Sequence, residues 1–256
     1  MRRTTAVRAS IGRASIGRAS IGRASIGLAG LALAALATAC GGSSNGPETD
    51  NPLVASPTTT DTGAPAAAGS CGPAPSGTPK QMQFKAEPKV TVAPATYTAT
   101  IVTNCGTIVA ALDAAKAPHT VNSFAFLAGQ HYFDNSPCHR LTTSGIFVLQ
   151  CGDPTGQGTG GPGYTIPDEN LTGATYPAGT LAMANTGQPH TGGSQFFFCY
   201  AATQLPPQYT PFGHVTKGLD VLQAIAKNGE DDSNGPGDGH PKSAVVIESF
   251  TVEKAS

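Results

Sequence analysis

The side chains that could do chemistry are concentrated between His139 and Asp153. This stretch is typical of two short strands joined by a turn, with the apolar run from Ile146 forming the second strand. Opposed residues of such a hairpin are neighbours, which predicts that Arg140 and Gln150 lie side by side. A guanidinium held beside a carboxamide can donate several hydrogen bonds in fixed directions, and it stays charged at any physiological pH.

Arg140 stands apart from the other arginines of the chain. The other six all lie within the first 23 residues, so beyond that leader Arg140 is the only guanidinium. Its position alone leaves two interpretations open, a structural ion pair at the surface or a functional cation.

The hairpin needs a scaffold, and the rest of the sequence predicts one made mostly of short strands. Pro118 opens a helix that runs to about Gly129, and a second helix is predicted at residues 218–227. Many short strands, with two helices far apart in sequence, predict a closed β-barrel with helices over its open ends. Further strands are predicted at residues 97–103, 107–112, 180–184, 195–200, 212–215 and 243–252.

The first 39 residues differ in composition from the rest and are interpreted as a secretory signal peptide. Residues 8–27 are four copies of R-A-S-I-G, and an apolar run follows at residues 28–39. The small residues before Cys40 resemble a lipobox, which predicts lipidation of Cys40 and a lipoprotein on the outer face of the cell membrane. An ordinary secretory signal, cut nearby to give a secreted protein, is the alternative. The apolar run is too short for a membrane span of ~20 residues, so attachment would be through the lipid anchor only.

The remainder divides into a tether and a folded domain. Residues 40–95 are predicted to form the lipidated N-terminus, a flexible linker and an extended arm, because Gly, Ser, Thr, Pro and Ala dominate up to about residue 80. Residues 96–256 are predicted to form one folded domain.

All sixteen acidic residues but only nine of the fifteen basic ones follow Cys40, so the chain beyond Cys40 carries a net charge of −7. This acidity, without a basic cluster, argues against nucleic acid as a partner.

Six cysteines are available in what would be an oxidising compartment. With one of them lipidated, five remain, so at least one stays unpaired. Cys138 and Cys151 flank the hairpin symmetrically and are predicted to form a disulfide. Cys71 with Cys105 is the second candidate pair. The remaining cysteine, Cys199, follows three phenylalanines and is predicted to be a buried free thiol.

Metal, nucleotide and covalent chemistry find no support in the sequence. No pair of histidines or cysteines has the spacing of zinc ligands, so no metal site is predicted. The glycines at 156, 158 and 161 match a dinucleotide fingerprint, but no helical pattern follows them to meet a phosphate. Ser194 lacks the small-residue elbow and the partners of a nucleophile. No cofactor is expected.

Four motifs in order resemble one known family. The first is H-R followed, after six residues, by F-V-L-Q-C-G-D-P-T-G-x-G-T-G-G-P-G-Y. The other three are M-A-N-T-G, G-S-Q-F-F-F and F-G-x-V. Together they resemble the cyclophilins, a family of peptidyl-prolyl cis-trans isomerases, over roughly residues 97–253. The resemblance implies a mainly β fold, a closed eight-stranded antiparallel β-barrel capped by two α-helices, in agreement with the pattern above.

The resemblance also implies the residues of a site. Arg140 takes the place of the catalytic arginine, and Gln150 and Phe147 match residues expected to act beside it. The residues implied to bind substrate are Val148, Ala184, Asn185, Gln195, Phe197, Leu205 and Tyr209.

Three departures from the family pattern bear on the ligands. Tyr209 stands in place of a histidine at the rim, and Val148 in place of a methionine. The chain contains no Trp, and Gln204 stands nearest to the place where cyclophilins that bind cyclosporin well usually carry one. Cyclosporin binding is therefore expected to be possible but weakened.

The resemblance implies a peptidyl-prolyl cis-trans isomerase that rotates X-Pro peptide bonds and assists the folding of exported proteins. We expect a monomer that acts on proline-containing polypeptides without a cofactor. A proline-peptide binding module or chaperone with little turnover is the alternative, and the combination of Arg140, Phe147 and Gln150 favours the enzyme. A thiol-disulfide protein is disfavoured because the sequence has no Cys-x-x-Cys.

Overall fold

The computed structural model describes residues 70–255 of the chain. The predicted signal peptide, the lipidation site at Cys40 and the linker up to residue 69 lie outside the described residues. Within residues 70–255, neither helix has the length and apolar character needed to cross a bilayer.

Ten strands and two helices make up the described part of the chain. Both predicted helices are present, within one residue of their expected ends. In chain order the elements are β1 (Thr96–Thr103), β2 (Gly106–Asp113), α1 (Pro118–Gly129), β3 (Ser136–Pro137), β4 (Arg140–Thr142), β5 (Val148–Cys151), β6 (Thr180–Met183), β7 (Phe196–Cys199), β8 (Pro211–Lys217), α2 (Leu219–Lys227), β9 (Asp238–Gly239) and β10 (Val246–Lys254).

All ten strands belong to one antiparallel sheet, in the order β3-β10-β1-β2-β8-β6-β7-β5-β4-β9. The predicted mainly β, antiparallel architecture with two helices is confirmed. The strand count differs from the predicted eight because β3 and β9, each of two residues, add one short pairing at either edge.

The predicted closure of the barrel also needs correction, because the sheet curls without a continuous closing ladder. The segment 136–142 pairs with β10 through its first residues and with β5 through its last. Pro137, which ends the pairing with β10, has no N–H to donate. Beyond it, the Cys138 N–H donates to the Val245 carbonyl over 2.9 Å. The two sides of the sheet therefore meet in one bent segment rather than in a regular strand pair.

Helix α1 supplies one side of the main core. It begins at Pro118, whose missing N–H costs nothing at the first position of a helix. Its buried Val121, Phe124 and Leu127 recur at the spacing of a single helix face. The Phe124 ring packs against four other aromatic rings of the core, those of Phe212 (centroid distance 4.7 Å), Phe196 (5.3 Å), Phe133 (5.4 Å) and Phe250 (5.9 Å).

Strand β7 shows how the sheet separates two apolar clusters. Phe196 and Phe198 belong to the main core, whereas Phe197 between them packs in a smaller cluster with Val148 and Tyr176. Successive side chains of a strand point to opposite faces, so three consecutive phenylalanines serve both clusters. The smaller cluster underlies the candidate site.

Residues 70–95 contain no helix or strand, but they are fastened to the domain. A disulfide joins Cys71 to Cys105. Further along, the Thr91 N–H donates to the side-chain oxygen of Asn122 on α1 over 2.9 Å. We call residues 70–95 the arm. The sequence predicts such an arm only from about residue 81, because small and polar residues dominate the preceding stretch, although it offers Cys71 and Cys105 as the second candidate pair.

Candidate active site

A row of opposed residues crosses four neighbouring strands and forms the centre of the site. Arg140 on β4 pairs with Gln150 on β5, and Gln150 pairs with Phe197 on β7. Phe197 pairs in turn with Ala182 on β6. Opposed residues of antiparallel strands project from the same face, so a cation, an amide and an apolar floor come together. As the hairpin pattern predicts, Arg140 and Gln150 are in contact: Nη1 donates to Oε1 over 3.3 Å.

The main partner of Arg140 is Asp238 on β9, which the sequence did not identify. Nε of Arg140 donates to Oδ1 of Asp238 over 2.8 Å, and Nη2 donates to Oδ2 over 2.6 Å. Two parallel hydrogen bonds of this kind fix the plane of the guanidinium. A half-buried lone arginine is a signal that an acidic partner exists. It does not say which of the sixteen acidic residues supplies it, and Asp238 lies 98 positions along the chain.

The ion pair stabilises both charges and leaves part of the guanidinium free. The Asp238 hydrogen bonds raise the pKa of Arg140 despite burial. The Arg140 hydrogen bonds hold the pKa of Asp238 below its usual range. A guanidinium has five N–H donors, and three are engaged by Asp238 and Gln150. One N–H on Nη1 and one on Nη2 therefore have no partner among residues 70–255 and remain for a ligand.

Arg140 lines a cavity of about 430 Å³, a size typical of small-ligand sites. We call it the first cavity. The rings of Phe197 and Tyr209 meet edge to face at 5.6 Å, so both contribute to its wall. Eight of the ten site residues implied by the resemblance line it: Arg140, Val148, Gln150, Ala184, Asn185, Phe197, Leu205 and Tyr209.

Phe147, which the resemblance implies to act beside Arg140, does not line this cavity. Its ring packs against Tyr200, with centroids 6.0 Å apart. Side chains alternate along an extended chain, and Val148 and Gln150 already occupy the cavity side. Ile146, which shares their alternation, lines the cavity instead of its neighbour.

Gln195 also lies outside the first cavity, one step removed from the guanidinium. Nε2 of Gln150 donates to Oε1 of Gln195 over 2.9 Å, and Nε2 of Gln195 donates to the Gly160 carbonyl over 2.9 Å. These bonds orient the Gln150 side chain so that its amide oxygen, Oε1, faces Arg140. A chain of amide hydrogen bonds thus runs from the guanidinium to the glycine-rich loop at residues 152–163.

The segment after β6 offers backbone groups to a ligand. The Ala184 N–H donates to the Gln195 carbonyl over 3.0 Å, whereas neither the N–H nor the C=O of Asn185 has a partner within residues 70–255. The Asn185 side chain is engaged, because Nδ2 donates to the Gln208 carbonyl (2.8 Å) and Oδ1 accepts from the Gly187 N–H (2.9 Å). The backbone of Asn185 is therefore the part that can pair with an extended peptide.

Burial shifts two other titratable groups near the hairpin, His139 and Cys199, toward their neutral forms. His139 is buried, neither of its ring nitrogens has a hydrogen-bond partner within the described residues, and burial lowers its pKa. Burial raises the pKa of the unpaired Cys199 thiol to about 12. The Cys138–Cys151 disulfide closes the hairpin beside the Arg140 pair. No group of three or more potential metal ligands occurs within residues 70–255.

The sequence matches the family described as "Cyclophilin type peptidyl-prolyl cis-trans isomerase/CLD" over residues 98–252. The chain belongs to this family. The match begins in β1 and ends in β10, so it spans the helices and nearly all of the sheet, while the arm precedes it.

Relatives of this cyclophilin include mycobacterial proteins. It is 49% identical over 179 residues to the probable peptidyl-prolyl cis-trans isomerase B of Mycobacterium leprae, and 44% identical over 195 residues to that of Mycobacterium tuberculosis. These matches cover 64% and 71% of this chain, but only 60% and 62% of the two relatives, less than two thirds of their length. The peptidyl-prolyl cis-trans isomerase A of Mycobacterium tuberculosis is 39% identical over 177 residues, which cover 62% of this chain and 93% of that protein.

Solved structures share the fold of this cyclophilin. A crystal structure of a cyclophilin type peptidyl-prolyl cis-trans isomerase from Cryptosporidium parvum is 28% identical, with a TM-score of 0.56, and the match covers 63% of this chain and 99% of that one. A second crystal structure of that protein, in the presence of the dipeptide Ala-Pro, is 29% identical, with a TM-score of 0.55 and coverage of 62% and 99%.

Proposed function

We propose that this cyclophilin is a peptidyl-prolyl cis-trans isomerase. The observation that carries the proposal is the fixed guanidinium of Arg140, which keeps two unengaged N–H donors in a cavity floored by Phe197. A proline ring is apolar and its amide nitrogen is polar, so a substrate X-Pro unit matches both halves of this cavity. The Asn185 backbone would hold the residue before the proline.

The guanidinium would act on the twisted state of the peptide bond. An X-Pro bond isomerises slowly because its amide resonance must be broken, at a barrier of ~20 kcal/mol. When the bond is orthogonal, the proline nitrogen becomes pyramidal and regains a lone pair. A free N–H of Arg140 can donate to that lone pair, an interaction that neither planar ground state offers. Binding the transition state more tightly than the substrate is what accelerates the reaction.

The hydrogen bond from Arg140 would supply only part of the rate acceleration, so other residues of the site must contribute. A hydrogen bond to a charged group contributes ~1.5–3 kcal/mol, or roughly 10- to 150-fold in rate. The Asp238 fork lets the guanidinium act without reorganising during the reaction. The remaining acceleration would come from Phe197 and Leu205, which seat the ring away from water.

We also propose that the substrates are exported proteins and that the enzyme works on the outer face of the membrane. The support is the signal-like leader and the lipobox-like residues before Cys40. If the lipobox is not used, the protein is secreted. Cell fractionation tests the anchor, because Cys40→Ala should move the protein from the membrane fraction to the medium, and an unchanged distribution would argue against lipidation.

The decisive experiment is a cis-to-trans assay on a short proline peptide with the full chain. Arg140→Ala should lower kcat/KM by about 30-fold or more, equivalent to ~2 kcal/mol. Binding of the ground-state peptide should change much less, because the lost interaction forms only in the twisted state. Lys217→Ala, which removes an exposed cation of β8, is the control. Equal turnover by Arg140→Ala and wild type would exclude the mechanism, and peptide binding without wild-type turnover would indicate a binding module instead.

A further inference from the structure

A second cavity lies beside the first and includes a residue of the arm. Its volume is about 870 Å³. Gln83 of the arm belongs to its lining, although this residue lies outside the family match at residues 98–252. The two cavities are adjacent, and together we call them the groove. Four residues line both: Gln150, Gly158, Ala184 and Asn185.

Hydrogen bonds to the glycine-rich loop hold Gln83 in place. Its Nε2 donates to the Gly161 carbonyl over 2.7 Å, and the N–H of the next residue, Phe84, donates to the Pro162 carbonyl over 2.7 Å. Gly163 has a φ of +89°, and a Cβ there would stand 2.7 Å from the Phe84 carbonyl oxygen. A glycine at this position is what lets the loop accept the arm.

Contacts on the C-terminal side of Gln83 keep the arm from sliding along the domain. The Phe84 ring meets the Phe126 ring of α1 edge to face at 4.9 Å. Three residues later, Glu87 accepts a hydrogen bond from Nδ1 of His119 over 2.6 Å. Together with the disulfide at Cys71, these contacts make the arm a fixed wall of the groove.

The second cavity is polar but uncharged. None of its lining residues within the described part of the chain is acidic or basic. A charged side chain of a ligand would lose hydration there without gaining an opposite charge, whereas a hydroxyl or amide would find partners. The polar side chains of the lining include Gln83, Thr159, Thr165, Thr186, Thr191 and Gln195.

An extended peptide could occupy both cavities at once. With its proline in the first cavity and the preceding residue on the Asn185 backbone, the chain continues toward the second cavity, because Ala184 and Asn185 line both. Side chains alternate along an extended peptide at about 3.3 Å per residue. The side chain two positions before the proline is then the one that meets the arm.

We propose that Gln83 is a specificity-determining residue, through which the arm selects the side chain two positions before the proline. Uncharged polar or small side chains are favoured there over Lys, Arg, Asp and Glu. This inference rests on the proposed function because it uses the same groove, and it extends the substrate-binding surface beyond the family domain.

Charge-swap variants in the full chain test the proposal. The substrates are three peptides that differ only two positions before the proline, where they carry Gln, Lys or Glu. Wild type should prefer the Gln peptide. Gln83→Glu should raise the ratio of kcat/KM for the Lys peptide over the Glu peptide by roughly two- to five-fold, the range of an exposed ion pair, and Gln83→Lys should lower it by as much. Gln81→Glu and Gln81→Lys are the matched controls, because Gln81 is exposed on the same arm but does not line the cavity.

The same peptides separate this inference from the proposed function. If wild type is active but the Gln83 and Gln81 variants shift the ratio equally, the role of Gln83 is wrong and the isomerase proposal stands. If wild type shows no turnover, fluorescence anisotropy on labelled peptides gives the same comparison as a ratio of Kd values. A charge-dependent ratio at position 83 alone would then support the subsite while the isomerase proposal fails, and equal ratios would refute both.

Discussion

Replacing Asp238 should slow turnover while leaving the first cavity intact, because this carboxylate positions Arg140 without lining the cavity. Asp238→Ala removes two of the three hydrogen bonds that hold the guanidinium, leaving only the 3.3 Å bond to Gln150. Asp238→Asn keeps one acceptor oxygen but places an amide N–H₂ against another donor. The alanine variant should therefore be the more impaired of the two.

The magnitude follows from the exposure of the pair. The Arg140 and Asp238 side chains are 32% and 27% exposed, so the pair is neither fully exposed nor fully buried. A surface ion pair contributes ~0–1 kcal/mol, and a hydrogen bond to a charged group contributes ~1.5–3 kcal/mol. The contribution of this pair is expected to lie between these values. A loss of ~1–2 kcal/mol corresponds to roughly 5- to 30-fold in kcat/KM. The loss should fall mainly on kcat, because the guanidinium is proposed to act only on the twisted bond, and peptide affinity should change little.

The pH profile gives a readout that a merely structural role would not produce. Arg140 lowers the folded-state pKa of Asp238, so the contribution of this carboxylate is present above its ordinary pKa and is lost only as pH falls through the lowered value. Wild-type activity should therefore persist through the usual aspartate range and decline below it. Asp238→Asn should lack that decline, provided the fold survives at the pH of the assay.

Asp232→Asn separates the ion pair from general loosening of the loop. Oδ1 of Asp232 accepts a hydrogen bond from the Gly237 N–H over 2.7 Å, so this residue supports the loop that carries Asp238 without touching Arg140. Its kcat/KM should stay near that of wild type. If Asp232→Asn loses as much activity as Asp238→Asn, or if Asp238→Ala turns over peptide like wild type, the positioning argument is refuted.

Two further predictions concern the hairpin and the rim. The double variant Cys138→Ala/Cys151→Ala should lower the free energy of unfolding by ~3 kcal/mol in guanidinium chloride titrations, because the disulfide closes a loop with a sequence separation of 13. An unchanged midpoint would mean that this crosslink does not restrain the unfolded chain. Cyclosporin should inhibit this protein weakly, because no Trp offers aromatic surface and an indole N–H at the rim, and Gln204→Trp should partly restore inhibition. Tight inhibition of the unmodified protein in the isomerase assay would count against that explanation.

Local patterns were enough to predict most of the secondary structure. The residues of β1 and β2 alternate between buried and less buried positions and pair in register around Asn104 and Cys105, as a two-period pattern with a short turn predicts. Pro118 marks the start of α1 for a reason visible in a single residue. The contact between Arg140 and Gln150 also follows from local pairing, because only ten residues separate them.

Features that depend on distant contacts could not be predicted in the same way. Asp238, the partner of Arg140, lies in a polar, glycine-rich stretch of the sequence that predicts a loop. No spacing rule connects two residues that are 98 positions apart. The resemblance implies that Phe147 and its neighbour Val148 both belong to the site, whereas only Val148 lines the first cavity, because successive side chains of an extended chain point to opposite sides. The bent closure at Pro137 required knowledge of which strand lies on each side.

The arm shows why the boundaries of the family match understate the site. Residues 98–252 contain the row from Arg140 to Ala182, yet Gln83 and Phe84 lie upstream and contact the loop between the two cavities. Without the arm, the carbonyls of Gly161 and Pro162 would lose these donors, and Phe126 would lose the ring that packs on it. The same loop receives a hydrogen bond from Gln195, which orients Gln150 and, through it, Arg140. Substrate preferences measured on a chain trimmed to the family boundaries would therefore describe a groove with one wall missing.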